Sequence, residues 1–418
     1  MAQALGTAVR DVAPPIHRVR LDSIDLVRGI VMILMLLDHT RDFAHEGGLL
    51  RNPLDPATTT PILYLTRWIT HLCAPTFVML AGLSVGLKRL RGDPVSDVAH
   101  LLWTRGLWLV FLEFTLIRVI VWFNLDFSFL AQLQVIWAIG LSMIVLAALV
   151  RLPVAVLAAL GAVIVLGHNA LDAIQVPRWF PGAPDVPGVT AKLWILVHQG
   201  GFFPIGGAGT PVVWGHYPVL AWTGIMLLGY SLSEVYAWTA GQRRRAFVIG
   251  ALAMIALFAV LRATNVYGDP RPWVAQDTTL KTAMSFMDVT KYPPSLLFTL
   301  VTLAPALLLL AALDGRALAK GPLAPAVTFG RVPFFFYVLQ WIWAHLAGIT
   351  ISVILGKSIA PYFMHVIQLF TMTPPPDIGG PLWTTYLFWL AGLFVLYWPC
   401  RWFAAVKARR RERFLSYL

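Results

Sequence analysis

The segment from Arg20 to His45, RLDSIDLVRGIVMILMLLDHTRDFAH, predicts a membrane-crossing helix with charged residues at both ends. Asp22 or Ser23 can cap its N-terminus before the long apolar run begins. At 100° per residue, Arg28 and His39 lie about 20° apart around the helix axis and about 16 Å apart along it. One face of this helix therefore carries a cation near one membrane surface and an imidazole near the other.

The composition is that of a membrane protein. Of 418 residues, 58% are hydrophobic and 12% are charged, and the mean hydropathy is +0.72. That charged share is about half the share found in soluble domains. The first 20 residues lack an apolar core followed by a cleavage site, so we expect no cleaved signal peptide. Cys73 and Cys400 both lie in apolar segments, which argues against a disulfide framework and against a metal site.

Apolar segments predict an all-α polytopic membrane protein of about ten transmembrane helices. Lys and Arg are more than twice as frequent in the termini and loops on one side as in the loops on the other. The positive-inside rule then places both termini in the cytoplasm, with Arg28 on the inner side and His39 on the outer side. The net charge of +12 is thus explained by orientation and not by nucleic-acid binding. The predicted spans are 23–43, 62–87, 99–123, 129–150, 153–168, 216–237, 244–263, 294–313, 327–355 and 382–404.

This topology gives three regions: a cytoplasmic segment 1–22, a transmembrane domain 23–405 and a basic cytoplasmic tail 406–418 that can bind anionic lipid. Two outer loops, 169–215 and 264–293, are long and rich in Pro and Gly. Loops of this length are typical of lids and binding sites.

Ionisable residues inside the predicted spans fall into two levels, and such residues are functional candidates because their desolvation is costly. A structural alternative is an ion-pair network of Arg67, Glu113 and Arg118 that joins the first three spans. The outer level comprises Asp38, His39, Arg67, His71, Arg118 and, slightly deeper, Glu113, whereas the inner level comprises Arg28, Lys88, Arg89 and Arg105.

The Asp38–His39 pair predicts acid–base chemistry, because a carboxylate that orients a histidine makes it a better proton acceptor. Adjacent residues on a regular helix point about 100° apart, however, so Asp38 could instead orient another neighbour. The inner arginines suit phosphate groups, which guanidinium binds through two hydrogen bonds.

An arginine followed eleven positions later by a histidine on the first helix resembles transmembrane acyltransferases that use acyl-CoA. More specifically, the sequence resembles the bacterial heparan-alpha-glucosaminide N-acetyltransferase-like family. The similar stretches extend from the first predicted span to the ninth: SIDLVRGIVMILMLLDHTRDF, TRWITHLCAPTFVMLAG, QVIWAIGLSMI, YGDPRPW, TKYPPSLLF and FGRVPFFFY.

The resemblance implies a multi-pass enzyme of the bacterial inner membrane that takes acetyl-CoA from the cytoplasm and acylates a sugar of an envelope glycan or glycolipid. It implies His39 as the catalytic base with Asp38 as its partner, and His45 as a rival base. It also implies Arg28 as a donor-site residue. The remaining site residues follow from depth and motif: Arg89 and Arg105 for the donor, and Arg67, His71, Glu113, Arg118, Lys291 and Tyr292 for the acceptor or its supporting network.

Two other functions fit the same residues. A proton-coupled transporter could use Asp38, His39, His71 and Glu113 as a proton relay. Against it, the sequence shows no pair of matching interrupted helices in its two halves, the usual sign of an inverted-repeat transporter. A catalytically inactive scaffold is the third alternative.

Overall fold

The computed structural model describes residues 21–410, 412 and 415, and this part of the chain is mostly helical. The predicted N-terminal segment therefore lies almost wholly outside the described residues, and so do positions 411, 413, 414 and 416–418 of the predicted tail, whereas 406–409 belong to the last helix. The helices are α1 Asp22–Ala44, α2 Pro61–Ile69, α3 Cys73–Leu90, α4 Val95–Leu112, α5 Arg118–Trp122, α6 Val135–Leu149, α7 Val154–Gly167, α8 Val189–Trp194, α9 Val219–Ser231, α10 Ala240–Thr264, α11 Thr279–Met287, α12 Leu296–Leu313, α13 Ala324–Arg331, α14 Pro333–Ile354, α15 Val366–Thr371 and α16 Leu382–Arg409. The strands are β1 Phe129–Gln132, β2 Gly201–Pro204 and β3 Val212–Gly215.

Within the described residues, seven helices are long and apolar enough to cross a membrane. Large apolar side chains are exposed on the outer faces of α10 and α16, as expected for contact with lipid; Leu252 and Phe394 are examples. Helices also occupy the other three predicted spans, but α6 has only 15 residues, and α1 and α4 carry charged side chains. The count of ten spans and the orientation of the termini therefore remain predictions. The seven are Pro61–Leu90, Val154–Ala173, Val219–Ala237, Ala240–Thr264, Leu296–Leu313, Pro333–Ile354 and Leu382–Arg409.

Helix α1 lies in the middle of the bundle, packed against α3, α13, α14 and α16. Two glycines allow its closest crossing. A Cβ atom on Gly29 would overlap the carbonyl oxygen of Ala326, and one on Gly330 would overlap that of Asp25. Small residues permit this close backbone approach between membrane helices. The crossing fixes the height of α1 and therefore the position of the side chains at its C-terminal end.

Two predicted spans are interrupted. The long ninth span divides at Val332 into α13 and α14, as its length allowed, because Pro333 begins a new helix and disfavours helical geometry in the residue before it. The second span divides into α2 and α3 around a short 3₁₀ turn, Thr70–Leu72. This turn places Thr70 and His71 at the level of the C-terminal half of α1.

The all-α prediction is incomplete, because β1, β3 and β2 form a small sheet in that order. β1 pairs with β3 in parallel, and β2 pairs with β3 in antiparallel register. The predicted span 129–150 is therefore wrong at its start: Phe129–Gln132 is strand, and α6 begins at Val135. The loop 169–215 supplies the other two strands, so its backbone groups are hydrogen-bonded in a sheet.

Candidate functional site

A cavity of about 830 Å³ lies at the C-terminal end of α1. Its walls come from α1, α2, the 3₁₀ turn before α3, α14, the small sheet and the two long loops. Both loops that the sequence singled out therefore contribute to it: the first through β3, and the second through Lys291 and Tyr292. A pocket of this size can enclose a small ligand or one end of a larger one.

His39 lines this cavity and stacks on Trp341 of α14, with ring centroids 3.6 Å apart and planes 20° from parallel. Its Nδ1 is buried and has no hydrogen-bond partner among the described residues. Nε2 is thus the ring nitrogen through which His39 can meet a ligand in the cavity. The stack fixes the plane of the imidazole, and a general base must be held in position to take a proton.

Asp38 pairs with arginines and not with His39. Its carboxylate accepts hydrogen bonds from Arg67 Nη1 at 2.7 and 2.9 Å and from Arg41 Nη2 at 3.2 Å. Arg41 also donates to Asp42 at 2.5 Å. The Asp38–His39 hydrogen bond expected of a catalytic dyad is not formed, since neighbouring side chains on a helix diverge. Asp38 instead joins α1 to α2 beside the cavity.

His45 follows the last turn of α1 and does not line the cavity. Its Nδ1 lies 3.1 Å from the carbonyl oxygen of Gly380, so one ring nitrogen is already engaged by the backbone. Burial lowers the pKa of His45 below its ordinary value. This geometry favours His39 over His45 as the base, although the role of each remains a prediction.

Four other predicted residues meet at the cavity wall: Arg67, His71, Lys291 and Tyr292. His71 is 2% exposed and packs edge-on against Phe298. The Tyr292 ring lies 3.9 Å from the ring of His216, centroid to centroid. Four of the six residues predicted for the acceptor or its supporting network therefore line one cavity, and their role there remains a prediction.

Two of the sequence motifs that resemble the family, YGDPRPW and TKYPPSLLF, lie next to each other beside this wall. Asp269, from YGDPRPW, accepts hydrogen bonds from the backbone N–H and the hydroxyl of Thr290 at 2.7 and 2.8 Å. The same carboxylate accepts from the Ser295 hydroxyl at 2.7 Å. Thr290 and Ser295 flank the Lys291–Tyr292 pair in TKYPPS, so Asp269 holds both ends of the turn that carries it.

Glu113 and Arg118 have other partners. Glu113 accepts a hydrogen bond from the backbone N–H of Trp137, in the first turn of α6, where a carboxylate is favourable. Arg118 donates to backbone oxygens of Asn124, Asp126 and Phe129 and so shapes the loop before β1. Neither residue lines the cavity. The predicted ion-pair network that includes both residues and Arg67 is therefore wrong.

The three inner-level cations predicted for the donor lie away from this cavity. Arg28 donates to the Ser84 hydroxyl at 2.8 Å and to the Gly330 carbonyl at 3.1 Å, which links α1 to α3 and α13. Arg89 is exposed and Arg105 is half-buried. The structure thus gives Arg28 a structural role, and the donor role of all three remains a prediction.

Sequence reasoning missed several residues of the cavity. His198 Nε2 lies 2.8 Å from the Asp172 carboxylate, and both residues line the wall. Asp172 lies in the 3₁₀ helix His168–Ala173 and His198 in the π-helix Ile195–Gln199, so no spacing within one helix could have linked them. His216 directly follows β3, and burial together with Lys291 and Arg67 holds its pKa well below the ordinary value. Trp341, which supports His39, lies in a run of aromatic residues typical of any apolar helix.

Fold and cavity together define a multi-pass membrane protein with a polar, histidine-lined site among its helices. Residues 20–264, more than half of the chain, match the family described as heparan-alpha-glucosaminide N-acetyltransferase, catalytic. The chain belongs to this family of membrane acetyltransferases, as the sequence motifs indicated. A comparison with curated proteins finds no match.

Proposed function

We propose that the protein transfers an acyl group, most simply acetyl, from acyl-CoA to the amine or hydroxyl of a sugar, with His39 as the general base. The observation that carries this proposal is the placement of the His39 ring on the wall of the cavity, stacked on Trp341. Membership of an acetyltransferase family supports the reaction class. A positioned histidine base contributes roughly 10²–10⁴-fold in rate.

In this reaction, Nε2 of His39 takes the proton of the acceptor amine or hydroxyl as that group attacks the thioester carbon. The neutral ring must then carry its own hydrogen on Nδ1, the buried nitrogen. Asp38 is committed to Arg67 and Arg41, so it acts by fixing the end of α1 and not by direct contact with the imidazole.

The donor is proposed to approach from the cytoplasmic side, where Arg28, Arg89 and Arg105 offer charge for CoA phosphates. Arg28 and His39 lie on one helix about 16 Å apart. The extended pantetheine arm of CoA can cover much of that distance, so the thioester stays within the protein. The acceptor would enter from the opposite face, through the end of the cavity lined by the long loops.

The proposed setting is the inner membrane of a bacterium, with an envelope glycan or a glycolipid as acceptor. Cations at the cavity wall, among them Arg51, Arg178 and Arg271, could contact such an extended polar molecule. A general base can take the proton of either an amine or a hydroxyl, so the group that the acceptor presents determines which of the two is acylated.

Sealed vesicles containing the purified protein in one orientation test this proposal. Acetyl-CoA is supplied on one side and glucosamine, as a sugar-amine probe, on the other; the arrangement is then reversed. Transfer is expected only with acetyl-CoA on the cytoplasmic face and product on the opposite face. Vesicles with His39→Gln serve as the matched control. Equal transfer with both substrates on the outer face would contradict the through-membrane route.

A further inference from the structure

Lys291 is a buried cation on the cavity wall. The residue is only 8% exposed, yet it lines the cavity. Among the described residues, no carboxylate or other hydrogen-bond acceptor contacts the ammonium group, which lies 5.1 Å from the centre of the Tyr292 ring. Burying an ammonium group without an anionic partner costs free energy, and such groups inside membrane proteins commonly serve function.

The other deep cations of the cavity are already engaged. Arg67 donates to Asp38, and Arg41 donates to Asp38 and to Asp42. Lys291 lies within electrostatic range of Asp38 and His39 without bonding to either. It therefore offers positive charge beside the proposed base, and that charge is available to a ligand.

The position of Lys291 is fixed before any ligand arrives. Asp269 binds Thr290 on one side of it and Ser295 on the other, and Arg271 Nε donates to the Thr290 hydroxyl at 2.9 Å. A charge that stabilises a transition state is most effective when the fold holds it in place in advance.

We propose that the Lys291 ammonium stabilises the oxyanion that forms on the acyl carbonyl during transfer, which makes Lys291 a second catalytic residue. This inference rests on the proposed acyltransferase function. As the acceptor nitrogen or oxygen bonds to the carbonyl carbon, the C=O π electrons move to oxygen and His39 takes the nucleophile's proton. Collapse of the intermediate restores the C=O bond and breaks the C–S bond. The departing thiolate then receives the proton from His39.

A transient anion explains the location of Lys291 better than a permanent one does. The exposed Arg178 lines the cavity in loop structure, where a charged group of a sugar or a phosphate would arrive with its water. Lys291 is buried and within electrostatic range of His39, where the reacting part of an acyl thioester is neutral until attack begins. Negative charge develops there only in the transition state.

The test compares Lys291→Met, Lys291→Arg and the wild type in steady-state transfer of acetyl from acetyl-CoA to glucosamine. We expect Lys291→Met to lower kcat by about 10²–10³-fold, the loss seen when one oxyanion donor is removed. The KM values should stay within about threefold, and Lys291→Arg should recover at least about tenfold of the lost kcat. Since the substitution removes an unpaired buried charge, the unfolding temperature of Lys291→Met should equal or exceed that of the wild type.

Lys281→Met is the control, because Lys281 is partly exposed and pairs with Asp277 at 3.0 Å outside the cavity; it should behave as the wild type. A raised KM with unchanged kcat would assign Lys291 to recognition of a permanent charge and overturn the proposal. The proposal would also be overturned if kcat fell only in proportion to the amount of folded protein, or if Lys291→Met and Lys291→Arg lost equal amounts of kcat. If the wild type transfers acetyl and Lys291→Met does so equally well, the role of Lys291 is refuted and the proposed acyltransferase function stands. If the wild type transfers no acetyl, both the proposed function and the role of Lys291 are refuted.

Discussion

The Asp38–Arg67 ion pair should carry a large part of the stability of the site. Both side chains are mostly buried, 11% and 13% exposed, and Nη1 of Arg67 reaches both carboxylate oxygens. Removing one partner of such a pair leaves the other charge buried and costs about 3–5 kcal/mol. Because Arg41 still contacts Asp38 at 3.2 Å, we expect Arg67→Met to lower the free energy of unfolding by about 3 kcal/mol, the lower end of that range.

Asp38→Asn should cost a similar amount, because the buried guanidinium of Arg67 then faces a neutral amide with one acceptor oxygen in place of a carboxylate with two. The double variant should be less destabilised than the sum of the two single variants, by about 2 kcal/mol, since contacting residues couple by about 0.5–3 kcal/mol. Reversible unfolding in mixed detergent micelles, followed by tryptophan fluorescence, measures the free energy of unfolding for all four proteins.

Arg151→Met is the control for this cycle, because Arg151 is exposed and a surface substitution changes stability by no more than about 0.5 kcal/mol. Strict additivity of the two single effects would refute the account, since it would mean that the carboxylate and the guanidinium do not interact in the folded protein.

Three further outcomes follow from single contacts. Arg28→Leu removes hydrogen bonds to Ser84 and Gly330 and should lower the free energy of unfolding by about 1.5–3 kcal/mol in the same assay. Weakened binding of acetyl-CoA to the folded variant would show that Arg28 also serves the donor, and unchanged binding would show that it does not. Gly29→Ala should abolish recovery of monodisperse protein in size-exclusion chromatography, whereas Gly241→Ala, whose added methyl meets open space, should not. The low pKa of His216 means that the fold favours its neutral form, so its contribution is complete above pH 6.5, the ordinary value, and is lost as pH falls below it. His216→Gln should therefore reduce the fall in the free energy of unfolding between about pH 6.5 and pH 5. If the free energy of unfolding falls as steeply with pH as in the wild type, His216 does not have the low pKa assigned to it.

The sequence predicted the parts of the fold that depend on local pattern. Helix α1 was predicted at 23–43 and extends from Asp22 to Ala44, and α7, predicted at 153–168, extends from Val154 to Gly167. Long apolar runs determine such helices almost alone, because the bilayer requires every backbone group to be bonded internally. The sheet was missed because β1 and β3 are distant in sequence, and only the folded loops bring them together.

The candidate site was predicted in part, for a related reason. Depth in the membrane was predicted from helix position, which placed Arg67 and His71 near the level of His39, and all three residues line the cavity. Which side chain bonds to which depends on rotation about each helix and on loop structure. That is why Asp38 pairs with Arg67 and not with His39, and why the His198–Asp172 pair could not be foreseen.

Single-turnover transfer by His39→Gln and His45→Gln tests the central claim, that His39 in the cavity is the base. Each variant is preloaded with radiolabelled acetyl-CoA in detergent, mixed with glucosamine and quenched over time, with donor binding measured separately. We expect His39→Gln to bind the donor within a few-fold of the wild type but to transfer acetyl about 10²–10⁴-fold more slowly. His45→Gln, whose ring contacts the Gly380 carbonyl outside the cavity, should transfer at close to the wild-type rate. Full transfer by His39→Gln with loss in His45→Gln would move the base to the loop after α1 and contradict the account.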